Sequence, residues 1–155
     1  MDYHVRSARL TDVEPAMRIL MPDGGDPLQQ RDDADRFRSL LFIPSATVVV
    51  AELERRVIGV GVLSIRPTVR SGPYVGTIDE LAVRLGAGST GSDADAADMR
   101  RSDIARSILE QLVGSARNKG CTRVEVTDPL ATAEPALWER GGFAKRGTLL
   151  SRAVG

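Results

Sequence analysis

Two adjacent carboxylates, Asp79 and Glu80, interrupt an otherwise apolar and β-branched segment that runs from Tyr74 to Val83. A carboxylate near the end of a buried strand can take a proton from a bound substrate and so act as a general base. Neighbouring side chains on a regular strand point to opposite faces, so we expect only one of the two to line a cleft. We favour Glu80 over Asp79; the alternative interpretation is that Glu80 is a solvated residue on the polar face of the strand.

The scarcity of histidine and cysteine excludes several other kinds of site. The only histidine is His4 and the only cysteine is Cys121. We therefore expect no zinc site, no Ser-His-Asp triad and no internal disulfide, and we predict no metal. Cys121 follows Gly120 and precedes a predicted strand, which favours a buried structural thiol over a reactive one.

A glycine-rich string, GAGSTG at Gly86 to Gly91, fits the GxGxxG pattern of dinucleotide sites. That pattern is specific only when it follows the first strand of a βαβ unit. Here it follows a run of three predicted strands and precedes acidic residues, which would repel a pyrophosphate. We interpret it as loop glycine, and a nucleotide-binding oxidoreductase stays a distant alternative.

The elements that position Glu80 follow from periodicity and from capping signals. Thr11 and Glu14 predict a capping box at the start of the first helix, and Asp26 with Pro27 predicts the start of the second. A low-complexity insert rich in Gly, Ala and Asp occupies about residues 85–99. The pattern predicts one domain over residues 1–155, with strands at 3–8, 47–53, 57–65, 74–83 and 122–126, helices after Thr11, after Asp26, at 102–119 and at 133–140, and a final strand pair from Phe143.

Two segments together resemble the acyl-CoA-binding core of the GCN5-related N-acetyltransferases. They are the strand IDELAVR with the helix RRSDIARSILEQLV, and the phrase LWERGGF at Leu137 to Phe143. The resemblance implies an α/β fold with a mixed, mainly antiparallel twisted sheet, splayed between strands 4 and 5 and flanked by helices. It also implies direct transfer of an acetyl or other acyl group from acetyl-CoA to an amine, with Glu80 as the base.

The resemblance further implies which residues contact acetyl-CoA. The family motif at the helix start is Arg or Gln, two residues, Gly, one residue, then Gly or Ala, and it matches best at Arg100 to Ala105. Asp103 stands in place of the first glycine, where a carboxylate repels phosphate. The implied contacts are Leu81, Ala82 and Val83 of the strand and Arg100, Arg101, Ser102, Ile104, Ala105 and Arg106 of the helix. Asp103 leaves open a regulatory or partner-binding module of the same fold without acetyl-CoA turnover.

The insert leaves two arrangements open for this helix. In one, a loop leads to a helix that starts near Arg100, where free amides and the helix dipole bind the pyrophosphate. In the other, one continuous helix runs from near Ser92 to Lys119, since ADAADMRR favours helix. The amides of Arg100 to Ala105 would then be bonded within the helix, and no phosphate cradle would form there.

Trp138 stands where the family usually has a tyrosine that serves as the acid. An indole N–H can donate a hydrogen bond, but it is not a useful proton donor. We assign Trp138 to core or interface packing and identify no general acid.

Composition narrows the class of partner. Lys plus Arg and Asp plus Glu both number 21, whereas a general nucleic-acid binder normally carries a basic excess. The chain has no signal-peptide core and no apolar run long enough for a membrane, so we expect a cytoplasmic protein, and its arginine bias indicates a bacterial source. The expected partner is a small-molecule or peptide amine acceptor, with no nucleic acid and no membrane. The resemblance also allows a homodimer through the C-terminal strands.

Overall fold

A computed structural model describes residues 2–86 and 92–155 of the 155-residue chain. Within these residues five strands form one sheet in the order β1-β2-β3-β4-β5. The strands are β1 (His4–Ser7), β2 (Ala46–Leu53), β3 (Arg56–Pro67), β4 (Tyr74–Val83) and β5 (Cys121–Glu125). The helices are α1 (Val13–Leu20), α2 (Pro27–Leu40), α3 (Ser92–Asn118), α4 (Leu130–Ala133) and α5 (Pro135–Arg140). A mixed sheet flanked by helices confirms the predicted fold class.

The strands β4 and β5 separate partway along their length. The first three ladders are antiparallel, and the β4–β5 ladder is parallel. That parallel ladder runs only from the Tyr74–Cys121 pair to the Thr77–Glu125 pair. Residues 78–83 of β4 continue beside β3 with no β5 partner in the described part of the chain. The sheet is therefore splayed between strands 4 and 5, as predicted, and the separation begins beyond Thr77.

The two faces of the sheet carry different helices. We call the face under α3 the back face and the face under α1 and α2 the front face. α3 contributes its buried apolar side chains to the back-face core, which also contains Ile78 and Leu81 of β4. The front-face core combines α1 and α2 with alternating valines of β2 and β3: Val13, Ala16, Ile19, Phe37, Val48, Val50, Val60 and Val62. This alternation between cores is the period-two pattern of a strand that is buried on both sides.

Glycines in β3 allow α3 to lie unusually close to the sheet. A Cβ added at Gly61 would be 2.5 Å from Ile108 Cγ2 and 3.0 Å from Leu112 Cδ1. A Cβ added at Gly59 would be 2.7 Å from Ile108 Cδ1. Only a residue without a side chain fits this close approach of strand and helix.

A partly buried ion-pair cluster joins the start of α1 to the β1 edge of the sheet. Asp12 is 4% exposed and accepts hydrogen bonds from the Arg6 guanidinium at 2.7 and 3.0 Å and from the Arg9 amide at 2.7 Å. Arg6 also donates to Glu52 of β2 at 2.7 Å. Burial acts to raise the pKa of Asp12, but the hydrogen bonds from Arg6 and Arg9 outweigh it and hold that pKa below its ordinary value.

Two local expectations about helix starts have different outcomes. The predicted cap of α2 is confirmed, because Asp26 accepts a hydrogen bond from the Leu28 amide at 3.2 Å and Pro27 begins the helix. The predicted capping box of Thr11 is wrong, because Thr11 lies inside a 3-10 turn at Leu10–Asp12 and α1 begins only at Val13. Its place is taken by the Asp12 carboxylate, which accepts from the backbone ahead of the turn.

The expected strand pair from Phe143 is absent, because residues 143–155 contain no strand. Leu149, Leu150 and Val154 of this segment are 67%, 89% and 93% exposed. These side chains bury little apolar surface, so little offsets the entropy cost of ordering the segment as a strand. A homodimer through this C-terminal segment stays a prediction.

We predict that Gly61→Ala lowers the free energy of unfolding by about 1–3 kcal/mol, since overpacking a close contact forces side chains or backbone to shift. The measurement is urea denaturation followed by circular dichroism. Gly114→Ala on α3 is the matched control, because no atom lies within 4 Å of its added Cβ. The control should raise stability by up to about 1 kcal/mol through helix propensity. A Gly61→Ala variant as stable as the parent would contradict the close approach.

Candidate active site

A β-bulge in β4 changes where its two carboxylates point. Val62 of β3 pairs with Glu80, and the next residue, Leu63, pairs with Ile78, so Asp79 is an extra residue without a partner. Ile78 and Leu81 both belong to the back-face core, although they are three positions apart. Both residues between them therefore lie on the front side of the strand. The expectation that Asp79 and Glu80 occupy opposite faces is wrong, because it assumed unbroken alternation.

The two carboxylates have different surroundings. Both residues are exposed. Asp79 Oδ2 accepts a hydrogen bond from the Ser64 hydroxyl on the neighbouring strand. The sheet crowds the carboxyl group of Glu80 and desolvates it, and the negative charge of Asp79 adds to this effect, so the pKa of Glu80 is raised above its ordinary value. Proton affinity is thus increased at the carboxylate that lies beside the split between β4 and β5.

The predicted strand contacts offer backbone groups to a ligand. Leu81 and Val83 are buried in the back-face core, and Ala82 packs against the front-face core. Their side chains therefore pack in the protein core, and only their backbone groups could contact a ligand. In this part of β4 the backbone edge that faces away from β3 has no strand partner among the described residues. Amide and carbonyl groups along such an edge can pair with an extended ligand, as an added strand would.

The helix after β4 adopts the second of the two arrangements left open by the sequence. α3 is continuous from Ser92 to Asn118, so Arg100 lies about two turns inside it. Amides at interior positions are bonded to carbonyls four residues earlier. Arg100 to Ala105 therefore provide side chains, and their amides are not free to form a phosphate cradle. The GxGxxG interpretation lies largely outside the described residues, since residues 87–91 are not among them.

The helical residues predicted to contact the cofactor fall into three groups. Ile104 and Ala105 are buried in the back-face core and serve packing. Arg101 donates to Glu134, at the start of α5, at 2.5 Å and to Asp98 at 3.4 Å. The remaining three, Arg100, Ser102 and Arg106, are half-buried on the same helix.

Arg100 and Arg106 also line an open polar groove at the other flank of α3. Its remaining wall is formed by Asp2, Tyr3, Asp103 and Ser107. The Tyr3 hydroxyl lies 2.6 Å from Ser107 Oγ and donates to the Asp103 carbonyl at 3.3 Å. This groove is at the β1 end of the sheet, whereas the split is between β4 and β5. The groove is therefore separate from the site around Glu80.

Trp138 has the packing role that its sequence position indicated. It is 5% exposed and belongs to the back-face core. Its indole N–H donates to the Leu130 carbonyl at 3.1 Å, and the Phe143 ring packs edge-on with a centroid distance of 5.3 Å. An indole held in this way has no proton for a leaving thiolate.

The described residues hold no group of three or more His, Cys, Asp or Glu that could bind a metal ion. Cys121 packs against the back-face core, and burial raises the pKa of its thiol, although the charge of Lys119 acts the other way. None of the described helices is long and apolar enough to cross a membrane.

Comparisons with known proteins agree with this fold. The chain is similar in fold to glucosamine-6-phosphate N-acetyltransferase from Arabidopsis thaliana, with a TM-score of 0.73 at 14% identity and 100% of both chains covered. It is similar to an aminoglycoside 6'-N-acetyltransferase from Acinetobacter haemolyticus, with a TM-score of 0.75 at 17% identity and 98% of both chains covered. A ribosomal-protein-alanine N-acetyltransferase from Brucella melitensis gives a TM-score of 0.71 at 17% identity, covering 99% of this chain and 100% of that one.

At these identities the structural likeness shows the fold alone. A search of curated proteins found no match. The sequence profile of the Acetyltransferase (GNAT) family matches residues 13–143, which is most of the chain. With its splayed sheet, this chain belongs to the GNAT acetyltransferase family.

Proposed function

We propose that this protein transfers an acetyl group from acetyl-CoA to an amine acceptor, with Glu80 as the general base. The observation that carries the proposal is the bulge in β4, which brings Glu80 to the front face beside the point where β4 and β5 separate. A carboxylate that has raised proton affinity and lies beside an unpaired strand edge is suited to remove a proton from an ammonium group. Family membership supports the same reaction class.

The residues of this chain would share the reaction as follows. Glu80 takes a proton from the acceptor ammonium, directly or through one water, and leaves a neutral amine. The amine nitrogen attacks the thioester carbonyl, so that a C–N bond forms and the C–S bond breaks. A backbone N–H of β4 would donate to the carbonyl oxygen while it carries negative charge. The thiolate leaves and takes up one proton while the new amide nitrogen releases one, so the protons balance, and no side chain is assigned as the acid.

At the split, β4 offers acetyl-CoA free backbone groups, whereas α3 offers only side chains. The amide groups of the pantetheine arm can pair with the open edge of Leu81, Ala82 and Val83. On α3, Arg101 and Ser102 can offer side chains to the pyrophosphate, whereas Arg100 and Arg106 line the separate groove at the other flank of the helix. Because the amides there are bonded within the helix, arginine charge would replace the backbone cradle of the family motif.

We predict that acetyl-CoA binds with a micromolar dissociation constant, equivalent to about −8 kcal/mol, when measured by isothermal calorimetry. NADH should give no heat. Arg101→Gln should weaken acetyl-CoA binding several-fold, since it removes a phosphate partner on the side of α3 that faces α5. Arg140→Gln, at the end of α5, is the matched control and should bind like the parent. Absence of acetyl-CoA binding by a folded sample would favour the regulatory or partner-binding module.

We predict that Glu80→Gln lowers turnover by about 10²–10⁴-fold while leaving acetyl-CoA affinity unchanged, because the amide cannot accept the proton. A base works only when deprotonated, so parent activity should fall as pH drops through the pKa of Glu80. Since that pKa is raised, the fall should begin at a higher pH than for an ordinary glutamate. Glu139→Gln on the exposed side of α5 controls for loss of charge. Equal turnover of Glu80→Gln and parent would remove Glu80 from the mechanism.

A further inference from the structure

The front face carries a second charged group beside the point where β4 and β5 separate. The Glu125 carboxylate, on β5, accepts from Arg123 at 2.9 Å and from Arg66 of β3 at 3.4 Å. The arginine side chains are 48% and 56% exposed. One carboxylate shared between two guanidiniums leaves a net positive charge. We call Arg66, Arg123 and Glu125 the arginine cluster.

The arginine cluster and the two carboxylates lie on the same side of the sheet. Ser64 binds Asp79, so both side chains are on the front face. Arg66 is two residues beyond Ser64 on a regular part of β3 and therefore shares that face. Glu125 contacts Arg66 and pairs with Thr77, the last residue before the strands separate.

Opposite charges on this face are kept apart. Asp79 is bound to the neutral Ser64 hydroxyl, and no ion pair between described residues joins Asp79 or Glu80 to the arginine cluster. Thr77 pairs with Ser64 and Glu80 pairs with Val62, so the bulge leaves the two charged groups two ladder positions apart, roughly 7 Å along the sheet. Here a negative and a positive end lie on either side of the point where an acyl group would arrive.

We propose that the acceptor is an amine that also carries an anionic group, either a carboxylate or a phosphate. Its ammonium group would lie at Glu80 and Asp79, and its anionic group would lie at Arg66 and Arg123. Guanidinium forks bind carboxylate and phosphate oxygens in a bidentate way, which makes this end selective for the anion. Amines with several positive charges and no anion would meet repulsion from the arginine cluster. This inference rests on the proposed acetyl transfer.

The test uses two matched pairs of acceptors, assayed for free CoA release. L-lysine is compared with cadaverine, which lacks the carboxylate, and glucosamine 6-phosphate with glucosamine, which lacks the phosphate. In at least one pair the anionic member should have a kcat/KM at least 10-fold higher, and the pair that shows this identifies the anion. Equal or better turnover of the neutral members in both pairs would overturn the inference.

Variants of the arginine cluster should move the KM of the preferred anionic acceptor in opposite directions. Arg66→Gln and Arg123→Gln should each raise that KM at least 5-fold and leave the neutral member within 2-fold of the parent. Glu125→Gln removes the carboxylate that competes for both arginines, so it should lower the same KM, which general damage to the fold cannot do. Arg140→Gln controls for loss of one positive charge. An unchanged KM in all three cluster variants would contradict the assignment.

A binding experiment separates this inference from the transfer reaction itself. Each acceptor is titrated by calorimetry into protein saturated with CoA, so no turnover is needed. Preference for the anionic member that disappears in Arg66→Gln would support the acceptor class even if no acetyl product forms, and the transfer proposal alone would then fail. No preference in either pair would overturn the acceptor class whatever the activity.

Discussion

The bulge at Asp79 is the constraint on which the site depends. One extra residue in β4 rotates the strand so that Asp79 and Glu80 leave the regular alternation together, while Ile78 and Leu81 stay in the back-face core. Bulges bend a strand and increase its twist. The bulge lies just beyond the point where the ladder to β5 stops, so the carboxylates it turns to the front face lie beside the split.

Tight packing behind the sheet makes this irregularity possible. The extra residue in β4 lies between two core residues that are anchored by α3, and α3 itself is held close to β3 by Gly59 and Gly61. A closely packed core resists shifts of the strands it contacts. The bulge is therefore fixed in position, and the front-face groups keep their spacing.

Electrostatics then distinguishes the two ends of the front face. Crowding and the charge of Asp79 raise the proton affinity of Glu80, whereas Glu125 is held between two guanidiniums. The two carboxylates thus have different electrostatic surroundings, because their neighbours differ. In α3 the backbone amides are hydrogen-bonded within the continuous helix. An anion there would therefore be contacted by arginine side chains and not by free amides.

The sequence alone determined the order of strands and helices from β1 to β5, the splayed sheet through its family resemblance, the cap at Asp26, the packing role of Trp138 and the choice of Glu80 as a candidate base. These follow from local patterns, since periodicity, capping residues and short motifs act within a few residues. Tertiary structure decided the bulge, the shared face of Asp79 and Glu80, the continuous α3 and the arginine cluster. For α3 the sequence left two arrangements open, and the structure shows the continuous helix. The bulge, the shared face and the arginine cluster depend on which residues lie opposite one another across strands, and Arg66 and Glu125 are 59 positions apart. No local pattern encodes that register, because it is set by the packing of the whole sheet against its helices.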